Sequence, residues 1–249
     1  MPSPWNEDEL VRHIHDLLDT FRQYECPLVR AVAEGRASRE QITRLAAYFA
    51  YFTSVTPHQQ GFLISRCDDR AVRRSMIDTL IDEETELRCG DKSHTELAVD
   101  FATRFTGLSE ARVAAITRPL AVQDMNHFRL RVARDESLGV ALAVLGMGGE
   151  SDFSRTCAAL ADGLRRHYGV RDEDQQSWIV HIEGDLAHGA AAERLTRRLL
   201  RRVEDQRRCL QLIAEYQDRW QYFFGLAHDP EFVLRRSALA EFAHLWREA

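Results

Sequence analysis

Lysine is almost missing from this chain. Of 33 basic residues only Lys92 is a lysine and the other 32 are arginines, a bias read most simply as the codon preference of a GC-rich genome. An excess of positive charge is missing too: 39 acidic residues outnumber the 33 basic ones and the net charge is −6. With arginines interleaved among carboxylates, no general nucleic-acid binder is expected, because phosphate recognition needs a basic surface. Cysteine pairs are absent as well. Cys26, Cys67, Cys89, Cys157 and Cys209 are odd in number and widely spaced, with no C-x-x-C among them, which speaks against a disulfide framework and fits a reduced, cytoplasmic setting. The longest nearly apolar run, Leu138 to Gly149, is well short of the ~18 to 20 residues that cross a bilayer. Met1 to Glu9 has neither the cationic nor the apolar region of a secretory signal, so no membrane association and no targeting are expected. Proline and glycine are scarce, at 6 and 13 of 249 residues. Without a linker, repeat or low-complexity stretch, the chain reads as a single domain over residues 1–249.

What is present is enough apolar sequence for a sizeable core, 45% against 29% charged, arranged at helical rather than alternating spacing. The pattern predicts helices over about 6–23, 27–35, 38–56, 71–88, 93–107, 109–116, 122–134, 138–168, 172–200, 202–227 and 231–247. Ser38 with Gln41 has the form of a capping box, and Pro57 should end or kink its helix. The fold class is all-α, a helical bundle.

Three groups of residues can carry chemistry. His181, Asp185 and His188 stand at i, i+4 and i+7 in one helix. They fall within roughly 60° of each other about its axis and form either a set of metal ligands or an ordinary polar face. Glu150 ends an apolar helix containing Gly146, Gly148 and Gly149. It is either a buried carboxylate needing a partner or the turn where that helix breaks, and the glycines imply close helix packing or room for a ligand. Glu83, Glu84 and Glu86 form an acidic cluster, ordinarily a solvated face, with His94 ten residues after Glu84. Glu84 and His94 would lie roughly 80° apart in a straight helix, unless the break at 89–92 realigns them. Taken together, three carboxylates and three histidines are a dimetal inventory. Two divalent irons would nearly be neutralised by them, and mixed imidazole and carboxylate ligation suits iron or manganese rather than structural zinc.

In order and spacing, Glu84-x9-His94, then Glu150, then His181-x3-Asp185-x2-His188 resemble the haem-oxygenase-like diiron oxidases and oxygenases, relatives of the pyrroloquinoline-quinone synthase and thiaminase II folds. The turn from Glu34 to Ile42 is similar to the start of a core helix in such proteins. The resemblance spans roughly residues 20–225. It implies a haem-oxygenase-like bundle of about seven core helices plus terminal helices, with Glu84, His94, Glu150, His181, Asp185 and His188 holding two Fe and no haem. O2 would be the co-substrate. The implied activity is oxidation of a small amine- or carboxylate-bearing metabolite by carbon-carbon cleavage, decarboxylation or N-oxygenation, in natural-product biosynthesis, with an external electron donor and a homodimer as further implications. Some amine oxygenases of the family carry a further carboxylate one helix upstream, where this chain has His58. Tyr51, Val55 and His58, spaced i, i+4 and i+7, and His127 are candidate substrate contacts. Two alternatives stay open: a metal-independent member of the same fold, either a thiaminase II-like hydrolase with a nucleophile such as Cys157 or a cofactorless oxidase, and a non-catalytic helical interaction protein using the arginine pairs at 197–198, 201–202 and 207–208.

Overall fold

The structure, a computed structural model, describes residues 4–85, 90–150 and 153–247. The side chains of Glu150, Glu183, Asp185, Leu186, Ala187 and His188 lie outside that description.

The described residues are helical, with no strand among them. In chain order the helices are α1 (Glu7–Leu18), α2 (Pro27–Ala33), α3 (Arg39–Thr53), α4 (Thr56–Ser65), α5 (Arg70–Glu84), α6 (His94–Thr106), α7 (Glu110–Ala114) and α8 (Leu120–Asp135). Next come α9 (Leu138–Leu142), a π turn (Ala143–Met147), α10 (Gly148–Glu150), α11 (Phe153–Tyr168), α12 (Gln176–Leu199), α13 (Val203–His228), α14 (Ala238–Glu241) and α15 (His244–Arg247). Side-chain caps set several starts, as Asn6, Ser38 and Ser93 each form a complete capping box. Each satisfies amides that a helix leaves without an internal partner.

Three expected helices come out differently. The helix expected to run towards Pro57 stops at Thr53, and α4 restarts at Thr56 with Pro57 in its first turn, where a missing N–H costs nothing. The long helix expected over 138–168 is interrupted by the π turn. There Gly146 lets two helices meet: a Cβ on it would stand 2.4 Å from Ala192 Cβ of α12. The helix expected over 231–247 is instead an irregular strap ending in α14 and α15. Phe232 turns back onto α13, at the open face of Gly225 and against the Tyr222 ring, 5.9 Å between centroids.

α13 is the buried axis of the bundle, with Ile213, Tyr216, Trp220 and Phe223 essentially inaccessible to solvent. An aromatic seam runs from it through α3 to α12, where Phe52 meets Trp220 at 4.9 Å and Phe49 stacks on Trp178 at 4.4 Å. Such contacts add to the burial of large apolar surfaces. The seam ends at two buried histidines.

Candidate metal centre and its cavity

His94 and His181 arrive from different helices and face each other. His94 is the first residue of α6, fixed by the Ser93 cap, whose hydroxyl accepts from the Glu96 amide at 3.1 Å while Glu96 Oε2 accepts from the Ser93 amide at 2.8 Å. These bonds, led by the Ser93 amide, hold the Glu96 carboxyl below its ordinary value. His181 lies one turn inside α12. Their ring centroids are 4.6 Å apart, and the two residues are 5% and 7% exposed.

The His181 ring is oriented from behind. Nδ1 lies 2.7 Å from the Ser177 carbonyl oxygen. A carbonyl can only accept, so Nδ1 carries the proton, and in the neutral ring Nε2 carries the lone pair. Metal-ligating histidines are ordinarily set this way, with one nitrogen held by a backbone carbonyl and the other presented to the ion. Phe49 and Phe153 pack edge-on against the same ring at 5.7 and 5.4 Å.

The carboxylate beside His94 is Glu83, not Glu84. Glu83 Oε2 lies 3.1 Å from His94 Nδ1, with 12% of the Glu83 side chain exposed, whereas Glu84 faces solvent. Val72, Met76, Thr79 and Glu83 form the inward stripe of α5, at i, i+4, i+7 and i+11, and Glu84 is one step, about 100°, off that stripe. The expected Glu84 to His94 pairing fails because the chain between them leaves the helix: Gly90 and Asp91 both have positive φ, at 80° and 64°, so helical phase does not carry across.

The backbones of Glu150, Asp185 and His188 lie in α10 and α12, and their side chains are among those outside the described residues. Among the described residues no group of three or more His, Cys, Asp or Glu is gathered as a cation site. The described pair of imidazoles and the Glu83 carboxylate nevertheless have the donor chemistry that iron takes.

Glu83 and His181 open onto a cavity lined also by Phe52, Thr56, Gln59, Arg129, Phe153, Tyr216 and Trp220. Gln59 and Leu145 are shared with a second cavity, bounded by α4, α5, the π turn and α12. The three expected substrate contacts stand elsewhere. His58 and His127 are exposed, and Tyr51 carries the Arg118 guanidinium on its ring at 4.9 Å. α3 and α4 are separate helices, so 51, 55 and 58 are not spaced along one helix. His127 sits one residue off the buried Asn126 and two off the buried Arg129 of α8. The buried positions of α8, at Val122, Met125, Arg129 and Val132, are spaced as one face, so Arg129 could have been read as an inward cation. Cys157 is fully buried and lies outside the described cavity lining.

Comparison with known proteins shows the family and the fold. A family model described as an iron-containing redox enzyme, of the haem-oxygenase type, matches residues 43–221. The 4-aminobenzoate synthase of Chlamydia pneumoniae is 27% identical over 200 residues, 80% of this chain and 86% of that protein. The pyrroloquinoline-quinone synthase of Pseudomonas aeruginosa is 29% identical over 208 residues, 79% and 78% of the two chains. Among solved structures, a TenA homolog from Pseudomonas syringae pv. tomato superposes with a TM-score of 0.75 at 13% identity, covering 88% of this chain and 91% of that one, a likeness of fold. With an iron-enzyme model matched over most of its length and a helical bundle of the same architecture, the chain belongs to the haem-oxygenase-like family of iron-containing redox enzymes.

Proposed function

We propose that this protein is a non-haem diiron oxidase or oxygenase that uses O2 to oxidise a small molecule in the cavity beside His181. The carrying observation is the buried imidazole pair of His94 and His181 with the partly buried Glu83 carboxylate beside it and the His181 Nδ1 proton directed to the Ser177 carbonyl. The ligand set is Glu83, in place of Glu84, with His94, Glu150, His181, Asp185 and His188. Bound iron would supply the electrons with which O2 is reduced.

The chain's own part is positional. Ser177 holds the His181 proton on Nδ1, and the Ser93 cap fixes His94 at the mouth of α6. Phe49 and Phe153 pack edge-on against His181, with Trp178 stacked behind Phe49, an apolar surround that keeps bulk water away and strengthens charge interactions inside. The family match and the two synthase relatives support oxidative chemistry in this fold. The hydrolase alternative gains nothing from Cys157, which does not line the described cavity.

The test is anaerobic loading with Fe(II), measurement of bound iron, and rapid mixing with O2. About two irons per chain and an iron-dependent transient in the visible spectrum are expected, both lost in His181→Ala. A protein that takes up no iron contradicts the reading.

A further inference from the structure

The cavity bounded by α4, α5, the π turn and α12 takes no part in the metal site itself. Its volume is about 60 Å3. Its polar lining comes from two helices, Gln59 and Gln60 of α4 with Ser75 and Thr79 of α5, while the π turn and α12 contribute apolar residues such as Leu145 and Leu195. No charged side chain is among the described lining. Ser75, Thr79 and Leu195 are half-buried whereas Gln59 and Gln60 are buried, so the cavity runs inward from the surface.

Gln60 is 8% exposed, and its side-chain amide makes no hydrogen bond with any described residue, a costly state for a buried polar group unless something else in the cavity answers it. Gln59 is held in one orientation. Its Oε1 accepts from Arg129 Nε at 3.0 Å, which leaves Nε2 to donate. Thr79 Oγ1 donates to the Ser75 carbonyl at 3.2 Å and keeps its lone pairs. Together these groups supply the roughly two to four partners that a buried water takes, and about four waters fit such a volume, where a cavity with apolar walls alone would stay dry.

The cavity leads to the candidate centre. Gln59 and Leu145 also line the cavity that holds Glu83 and His181. On α5, Ser75, Thr79 and Glu83 stand at i, i+4 and i+8, within about 80° of each other, so one face of a helix runs from the outer end of the first cavity to the inner one.

We propose that this cavity is a water-filled inlet that carries protons from solvent to the candidate iron centre. The inference rests on the oxidase reading for the use of the protons and adds the residues that deliver them. O2 that takes up electrons must take up protons as well; bound iron and the external donor supply the electrons, and solvent supplies the protons. Each water or hydroxyl of the file accepts a proton from its outer neighbour and passes one inward, so no bond within the file is lastingly made or broken. The amides of Gln59 and Gln60 hold the waters in line and take no proton. Gln60 and Thr79 are thus positioning residues. With them, the apolar surround of His181 excludes bulk water without cutting the centre off from protons.

The experiment begins with crystals of the iron-free protein, with and without xenon pressure. The wild type should show ordered waters on Gln60, Ser75 and Thr79 and take no xenon there, and in the double variant Gln60→Met with Thr79→Val the waters should give way to xenon. The iron-loaded proteins are then mixed with O2 in H2O and in D2O. The visible transient should decay about fivefold or more slowly in the double variant, with a larger solvent isotope effect and unchanged iron content, and Thr79→Ser, which keeps the hydroxyl, should decay as the wild type does. A wild-type cavity that takes xenon and shows no water overturns the proposal, and so does a wet cavity whose double substitution alters neither the decay rate nor the isotope effect. Should the double variant not fold, Thr79→Val decides by the same two readings. If the wild type binds no iron, the oxidase reading fails by itself, and the crystals still decide whether the inlet is wet.

Discussion

Two glycines mark two halves of the molecule by contrasting surroundings, one at a helix-to-helix contact and one beside the candidate centre. At Gly163 of α11 a Cβ would stand 2.5 Å from the Val32 carbonyl oxygen and 2.7 Å from Ala33 Cα. Here two helices touch backbone to backbone, and the absent side chain is what lets α2 and α11 pack. At Gly189 of α12, on the side of the molecule that carries the candidate centre, a Cβ would meet nothing within 4 Å. The first region is organised for close packing. The second is also closely packed where Gly146 meets Ala192, but it contains two buried imidazoles, a partly buried carboxylate, a buried guanidinium and a π turn, an element often found at functional sites. Polar groups placed where apolar ones would be cheaper are expected in a site and unexpected in a support.

The sharpest break of this contrast is Gly163→Ala. Because the obstructing atoms are backbone, overpacking should cost about 3 kcal/mol, read as a lower urea midpoint, with iron content per folded molecule unchanged. Next is His181→Ala. The site should lose iron by ten- to a hundredfold or more, judged from what even outer partners of a metal contribute, while the urea midpoint moves far less than for Gly163→Ala.

Ser93→Ala joins the two halves, because one cap supports both a helix and a candidate ligand. Loss of an N-cap serine should cost about 1 kcal/mol, and loosening His94 should weaken iron binding as well. The pH dependence has a definite sign. The folded pKa of Glu96 is depressed, so the contribution of its bonds is present above the unfolded carboxylate value and is lost as pH falls through the folded one. The variant should therefore show a shallower acid limb in its stability against pH. The smallest effect is Gly189→Ala, expected to stabilise by up to about 1 kcal/mol through helix propensity alone, seen as a higher midpoint.

The same division governs what could be read from residues alone. Helices of the support follow from apolar periodicity and caps: Asn6, Ser38 and Ser93 are recognisable as starts, and α8 and α13 lie close to where spacing puts them. His181 is singled out by its i, i+4, i+7 spacing with Asp185 and His188, and His94 by the acidic cluster ten residues before it; the fold brings the two rings to 4.6 Å. Glu84 comes from the order and spacing of the resemblance, which do not distinguish it from its neighbour, whereas the break with Gly90 and Asp91 at positive φ leaves Glu83 beside His94. Counting along α5 from Val72, Met76 and Thr79 would have chosen Glu83. Arg129 was overlooked because arginine is so common in this chain that a buried one does not draw the eye. Its spacing from Val122 and Met125 marks it as inward. The strap over 229–237 was unreadable, because it is set by Phe232 meeting Gly225, a contact that periodicity does not encode.

The Glu83 side of α5, with His94 and His181, is proposed to hold iron. The most direct test of that proposal is bound iron per chain after anaerobic Fe(II) loading of the wild type, Glu83→Gln and Glu84→Gln. About two irons are expected in the wild type and in Glu84→Gln, and a marked loss in Glu83→Gln. Full iron in Glu83→Gln, or loss in Glu84→Gln instead, would contradict it.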